Sequence, residues 1–317
     1  MDQQRERIQD DLRGLLAGEV RCDDLTLAMY ASDASVYEIW PLAVVCPRNL
    51  ADVAATVKYA AENQLPVHAR GAGSGLAGGA LGPGIVIDFS RHMRRIMQIE
   101  PGLARVQSGT VLSSLNRALY DHGQRFGPDP ANSEVTTMGS VVAVNAAGSR
   151  FLRYGAAGEY VRRLQLVLAD GAIVEVEREL LGSTGDDPAA KRKAALTNDV
   201  AAVLLKHHET IAEHQAGVRV PAAGYQLHGV LSEGRLDFGR LLAGSEGTLA
   251  LITEATVATV PIAEHVGVVL LLFDRLENAA RAVEVILPVG LRACDLLDRR
   301  HLSLARESDV RFDLLVP

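Results

Sequence analysis

Between Pro66 and Ala80 the chain reads Pro-Val-His-Ala-Arg-Gly-Ala-Gly-Ser-Gly-Leu-Ala-Gly-Gly-Ala. A short apolar segment runs into Arg70, and five of the next nine residues are glycine. Glycine accepts φ > 0 and carries no side chain, so such a loop can bring successive backbone N–H groups close to an anion. Ordering that many glycines is entropically costly, and a bound ligand explains the cost better than a bare turn. The stretch therefore predicts a cradle for a phosphate or pyrophosphate.

The cradle is not that of a nicotinamide-binding fold. Gly73-Ser74-Gly75-Leu76-Ala77-Gly78 matches the GxGxxG pattern, and a strand precedes it. The pattern also requires a helix directly after it, whose N-terminus holds the pyrophosphate. Gly78-Gly79-Ala80-Leu81-Gly82-Pro83-Gly84 would break one. Asp88 comes too soon to be the ribose-binding acid expected about 20 residues on. No Gly-Lys-Ser/Thr follows, which excludes a Walker A loop.

With 317 residues, two domains are expected. A net charge of −7 with acids and bases interspersed argues against nucleic acid as the main partner. The charged N-terminus, Met1–Asp11, is no signal peptide. No apolar run approaches the roughly 20 residues of a membrane-spanning helix. Cys22, Cys46 and Cys294 lie far apart, which predicts a reducing compartment and no disulfide framework, zinc site or iron–sulfur site within these residues.

Helical spacing runs over Ile8–Leu16. A strand at Ala43–Cys46, a helix at Leu50–Glu62 capped by Asn49, and a strand at Pro66–Ala69 predict a βαβ unit with a parallel strand pair. Short strands are expected at Ile85–Phe89, Ile96–Ile99 and Ala104–Gln107. A helix capped by Thr110 or Ser113 follows, then a loop over Gly127–Met138. Small residues dominate 139–149, where something must approach the backbone closely. Asp170-Gly171, between Leu164–Ala169 and Ile173–Val176, predicts a hairpin. A long helix is expected over roughly Ala189–Ala216, and Leu249–Val260 is β-rich. After a boundary at Pro261–Glu264, a strand (Val266–Phe273), a helix (Leu276–Ile286) and a strand (Leu291–Leu297) begin a second α/β unit. The chain, ending Asp313-Leu-Leu-Val-Pro317, stops before that unit closes, as a truncated product would.

Three further segments accompany the glycine loop. They are Phe126-Gly-Pro-Asp-Pro-Ala-Asn132 with Thr136–Gly148, Arg153-Tyr-Gly155 leading to Val167–Gly171, and Gly244-Ser-Glu-Gly-Thr-Leu249 leading to Ile252–Thr256. In this order the four segments resemble FAD-linked oxidases of the vanillyl-alcohol-oxidase (PCMH) fold, in the D-lactate/glycolate/D-2-hydroxyglutarate dehydrogenase group. Tyr30-Ala-Ser-Asp-Ala-Ser35 and Cys294-Asp-Leu-Leu-Asp-Arg299 look most like large bacterial members with a C-terminal iron–sulfur domain. The resemblance covers roughly residues 28–317.

The resemblance implies an α/β (α+β) fold: an N-terminal helical segment (1–34), a PCMH-type FAD-binding domain of two α/β lobes (35–262), and the start of an α+β substrate or cap domain (263–317). Arg70, Gly71, Ala72, Gly73, Ser74, Gly75 and Leu76 would take the pyrophosphate. Ser74 stands where some relatives carry a flavin-linked histidine, so the FAD is expected to be non-covalent; His68 is expected to be packed on its strand. Pro128, Asp129, Thr137, Gly139, Ser140, Ala143, Asn145 and Gly148 would flank the cofactor, with Tyr154, Gly155, Glu246, Gly247 and Ile252 nearby. The small residues Gly139, Ser140, Ala143 and Ala147 fit close backbone approach to the cofactor, with tight packing as the alternative. Ser140 stands where the family often has a second glycine.

The implied reaction is oxidation of a 2-hydroxy acid to the 2-oxo acid, with hydride passing to flavin N5. A substrate carboxylate suits an arginine fork, and Arg150 or Arg153 is a candidate to supply one; Glu246 is the other catalytic candidate. Relatives carry their base and a metal site in a downstream His-x-Gly-Asp-type motif. No such motif is present, and no metal site is assigned. His207, His208 and His214 read as surface histidines, with His207 and His214 about two turns apart on one helix face. An iron–sulfur electron acceptor, as domain or subunit, is the implied partner, in the cytoplasm or peripheral to the inner membrane face through that partner. A non-catalytic FAD-binding electron-transfer subunit is the main alternative, and a flavin-dependent nucleotide-sugar reductase a more distant one.

Overall fold

The computed structural model describes residues 3–214 and 224–308. Its core is split between two sheets. In the smaller, the strand order is Glu19–Arg21, Ala43–Cys46, Ile85–Asp88, Val67–Arg70. The first pair is antiparallel and the other two are parallel. Ala43–Cys46 and Val67–Arg70 do not pair with each other as expected; Ile85–Asp88 lies between them. The physical reason is burial. Every residue of Ile85–Asp88 is buried, as a central parallel strand requires, whereas Val67–Arg70 is half-buried and takes the edge.

Helix Leu50–Glu62 covers this sheet. Asn49 caps it, its Oδ1 accepting the Asp52 N–H at 2.9 Å. Helix Gln3–Arg13 buries Ile8 and Leu12 in the same core. The N-terminal residues thus add a helix and an edge strand to the small lobe.

The larger sheet is antiparallel, in the order Ile96–Glu100, Leu103–Gln107, Leu251–Ala258, Val161–Val167, Ile173–Val176. Its central strand comes from the far end of the sequence. One face carries the main apolar cluster, including Val106, Leu164, Ala255 and Val257. The other carries cross-strand charge pairs: Arg105 with Glu254 and Glu175 at 2.7 and 2.9 Å, and Arg163 with Glu177 at 3.0 Å.

The lobes meet where the hairpin turn at Asp170-Gly171 docks on helix Leu50–Glu62. Gly171 is left-handed (φ 81°), and a Cβ there would lie 2.9 Å from the Ala54 carbonyl oxygen. Val167 and Leu251 of the large sheet pack into the small lobe's core. An apolar cleft of about 230 Å3 lies along this seam, between Val57, Ala61 and Val67 on one side and Leu168 and Gly247–Leu251 on the other.

Helix Leu112–Tyr120 is not capped by Thr110 or Ser113 side chains. Its N–H groups at Leu112 and Ser113 instead donate to the carbonyls of Thr136 and Ser133, and the Thr110 hydroxyl donates to Arg95. The long helix expected from Ala189 is two helices, Pro188–Lys206 and His208–Glu213, broken at His207; Ala216 lies outside the described residues. Helix Leu276–Ile286 forms, but Val266–Phe273 and Leu291–Leu297 form no strands. A strand draws its backbone hydrogen bonds from a neighbour, and among the described residues no neighbouring strand is present. Asp313–Pro317 lies outside the described residues.

Candidate functional site

No helix follows the glycine loop: residues 71–84 are turns and bends. The five loop glycines between Gly71 and Gly79 divide into two groups. A Cβ at Gly71 would overlap the hydroxyls of Thr137 and Ser140. Gly73 (φ 65°) lies over the Arg70 guanidinium, 2.6 Å from Nη2 to its would-be Cβ, and Gly78 (φ 76°) lies against the Tyr37 ring. Protein contacts therefore require these three. Gly75 is different: it is not left-handed, and a Cβ there would meet nothing within 4 Å. Gly79 is also outside the left-handed region and would meet only the end of Glu246 at 3.5 Å.

Among the described residues, no N–H group from Ala72 to Gly79 donates to a protein acceptor. The loop thus offers a row of open donors around a glycine that protein packing does not demand. The Ser74 hydroxyl oxygen accepts from Asn132 Nδ2 at 2.9 Å, leaving its O–H free to donate. Beside the loop, Asp33 Oδ1 accepts the Ser35 N–H, while Oδ2 is buried with no partner among the described residues. An orphaned acceptor of this kind is costly, and a hydroxyl or N–H of a bound group would relieve it. Donors for a pyrophosphate, an open cradle and an unpaired acceptor fit a dinucleotide such as FAD.

The other candidates fall on two sides of the loop. Short helix Met138–Ala143 packs its start against the large sheet: the Met138 and Gly139 N–H groups donate to the Thr110 and Ser108 carbonyls. A Cβ at Gly139 would lie 2.7 Å from Ser108 Cβ. The small residue here answers to packing, the second of the two readings left open by the sequence. Ser140 faces Gly71, and its Oγ is 3.0 Å from Thr137 Oγ1. A Cβ at Gly148 would overlap the Asp129 carbonyl. Gly155, at φ 65°, closes the short helix Phe151–Tyr154 that carries half-buried Tyr154.

Beyond Ala143, the turn Gly244–Gly247 grips the end of that short helix. Gly244 N–H donates to Val142 and Glu246 N–H to Ala143. Glu246 holds φ 52°, rare for a residue with a side chain. This strained turn places its carboxylate beside Gly79. Asn145, also left-handed (φ 48°), accepts the Gly158 N–H at 2.7 Å; it ties three segments together. Ile252 is buried in the main core, and its carbonyl accepts the Ser108 hydroxyl. It supports the site from behind.

The two arginines separate. Arg150 is committed to Asp129: Nε is 3.1 Å from Oδ2, and the backbone N–H donates to Oδ1. Burial is the main influence on Asp129 and raises its pKa, while the Arg150 N–H opposes that. Arg153 is exposed and, among the described residues, has no ion-pair partner. The spacing of Asp129 and Arg150 in sequence offered no signal for their pairing; it depends on the approach of two loops.

Arg70 differs most from expectation. Its guanidinium turns back under the loop, donating from Nη1 to the Tyr30 carbonyl and from Nη2 to the Ser32 carbonyl, at 3.2 and 2.9 Å. His68 is half-buried on its strand, and burial lowers its pKa, favouring the neutral ring. His207, His208 and His214 are exposed, and the last two bond to carbonyls of their own turns. The helix break at His207 removes the shared face expected for His207 and His214. Among the described residues, no group of histidine, cysteine and carboxylate side chains could hold a metal.

Residues 41–177 match the family model described as an FAD binding domain. D-2-hydroxyglutarate dehydrogenase of Pantoea ananatis is 33% identical over 290 residues, 88% of this chain and 28% of that protein. The Escherichia coli protein of the same name is 32% identical over 91% of the chain and 29% of its own length. D-lactate dehydrogenase of Archaeoglobus fulgidus is 30% identical over 83% of the chain and 49% of its own length. The chain thus spans three-tenths to one-half of these relatives. A solved structure of alkyldihydroxyacetonephosphate synthase shares the fold at TM-score 0.57 and 18% identity, over 84% of this chain and 41% of that one. The open glycine cradle and these likenesses coincide on the same residues: the chain carries an FAD-binding domain at 41–177 and is similar over most of its length to D-2-hydroxyglutarate dehydrogenases, D-lactate dehydrogenases and glycolate oxidase subunits.

Proposed function

We propose that this chain holds FAD non-covalently, its pyrophosphate on the Ala72–Gly79 loop, and oxidises a 2-hydroxy acid of the D-lactate, glycolate or D-2-hydroxyglutarate type. The observation that carries the reading is Gly75, a glycine that neither backbone conformation nor packing requires, set in a row of unused N–H donors. Bound FAD supplies the two-electron acceptor that no side chain provides. The glycine loop and the Ser74 hydroxyl hold the cofactor's phosphates. Thr137 and Ser140, which face Gly71, would line the approach to its rings together with Pro128 and Tyr154, and the Glu246 turn, whose carboxylate lies beside Gly79, would close the site. Of the two candidate arginines, Arg153, which has no ion-pair partner among the described residues, takes the substrate carboxylate, since Arg150 is spent on Asp129. Ser74 in place of an attachable histidine supports the non-covalent state.

An iron–sulfur electron acceptor as domain or subunit, and a cytoplasmic location with membrane contact only through such a partner, belong to the same proposal. Among the described residues no helix is long and apolar enough to cross a membrane. The test is direct. The 317-residue chain is reconstituted with FAD, and D-lactate, glycolate and D-2-hydroxyglutarate are offered with an artificial electron acceptor. Failure to take up flavin overturns the whole reading. Flavin that stays attached after denaturation overturns the non-covalent state, and reduction by NADH but by no hydroxy acid overturns the substrate class.

A further inference from the structure

The segment just before the first parallel strand forms a tight loop of its own. Ile39 N–H donates to the Ala31 carbonyl, Ser32 and Glu38 pair as a single antiparallel bridge, and Asp33 and Ser35 side chains turn the backbone between them. This loop lies along the glycine loop and touches it repeatedly. Ala34 N–H donates to the Gly73 carbonyl at 3.0 Å. The Tyr37 ring sits on Gly78, 2.8 Å from its would-be Cβ.

Arg70 locks the two loops from below. Its guanidinium stacks on Tyr30, 5.0 Å from the ring centroid, and its fork binds two carbonyls of the neighbouring loop while Gly73 rests on it. Tyr30 is anchored in turn: its hydroxyl donates to Asp88 Oδ2, and Asp88, buried at the end of the central strand, accepts twice from Ser90 through Oδ1. A chain of contacts therefore runs from the core of the small sheet through Asp88, Tyr30 and Arg70 to Gly73.

We infer that residues 30–38 form a second wall of the cofactor site, and that Tyr30, Tyr37 and Arg70 are positioning residues that hold the glycine loop open for a dinucleotide. On this assignment Arg70 acts through its two-carbonyl fork and its stacking, not as an ion-pair partner of the phosphate. The inference rests on the FAD reading above and sharpens it.

The experiment titrates FAD into the 317-residue apoprotein and into Arg70→Lys, Arg70→Met, Tyr30→Phe and Tyr37→Ala, following flavin fluorescence. Hydrogen exchange at Ala72–Gly79 and urea unfolding of each apoprotein are measured alongside. Arg70→Lys and Arg70→Met are both expected to weaken FAD by about tenfold or more, a shift of roughly 1.4 kcal/mol, because lysine keeps the charge but cannot form the fork. Tyr37→Ala, at an exposed side chain that does not threaten folding, should weaken FAD about three- to tenfold, the range a lost loop contact of order 1 kcal/mol gives. Each variant should speed exchange in the glycine loop more than elsewhere.

Arg70→Lys binding within about twofold of wild type while Arg70→Met does not would overturn the inference in favour of direct charge contact. Wild-type affinity in Tyr37→Ala and Tyr30→Phe, with unchanged exchange in the loop, would overturn it also. A wild-type chain that binds no FAD defeats the functional proposal instead, so the two failures are distinct.

Discussion

Gly75→Ala separates cofactor binding from folding. At Gly75 the backbone is not left-handed, and the new methyl meets no protein atom within 4 Å. Replacing glycine by alanine at such a position stiffens the unfolded chain and should raise apoprotein stability by about 0.4–1 kcal/mol. The same methyl would stand in the space reserved for the phosphates. Loss of one charge-assisted hydrogen bond of about 1.5–3 kcal/mol would weaken FAD by at least about tenfold. Gly71→Ala is the control, because its methyl would overlap the Thr137 and Ser140 hydroxyls. Overpacking of that kind costs about 1–3 kcal/mol of stability. Urea unfolding of the apoproteins and fluorescence titration with FAD read the two effects independently. Wild-type FAD affinity in Gly75→Ala would refute the reasoning. So would a destabilised Gly75→Ala apoprotein, since the open space would then not be open.

Other perturbations probe the frame. Phe126 is fully buried and meets Tyr160 edge-on at 5.4 Å, so Phe126→Ala should cost about 3–5 kcal/mol in urea unfolding. Gly171→Ala should cost about 1–2 kcal/mol from its left-handed backbone alone, and more from contact with the Ala54 carbonyl, read as a drop in the unfolding midpoint. Glu19 accepts from Arg21, the largest influence, and from His92, and pairs with Arg91; together these pull its pKa from 4.5 to about 2. A depressed carboxylate stabilises the fold fully above the unfolded value and loses that contribution as pH falls from about 4.5 towards 2. Glu19→Gln should flatten the acid limb of stability in that window, and an unchanged slope would count against the assignment. Arg153→Met should raise KM for the hydroxy acid about tenfold or more with a smaller change in kcat, whereas loss of kcat alone would remove it from substrate binding.

Much of the site was legible because its signals are local. A glycine-rich run with no helix after it, an asparagine three residues before an N–H it can accept, and Asp-Gly between two apolar runs each depend on residues a few positions apart. The four segments that carry the family resemblance are equally short. The sequence by itself thus pointed to a phosphate cradle and, through the family resemblance of four short segments, to a two-lobed α/β frame and FAD as the cofactor. The tertiary structure decided which strand lies between which, because pairing is settled by burial on both faces over long separations: Ile85–Asp88 enters between two strands that sequence order would pair, and Leu251–Ala258 becomes the centre of a sheet begun some 150 residues earlier. It also decided where side chains are spent. Arg70 turned from the loop to two carbonyls, Arg150 committed itself to Asp129, and Gly139 answered to Ser108. The direction of a long side chain is chosen by whatever partner the fold brings within about 3 Å, and that partner lies far away in sequence.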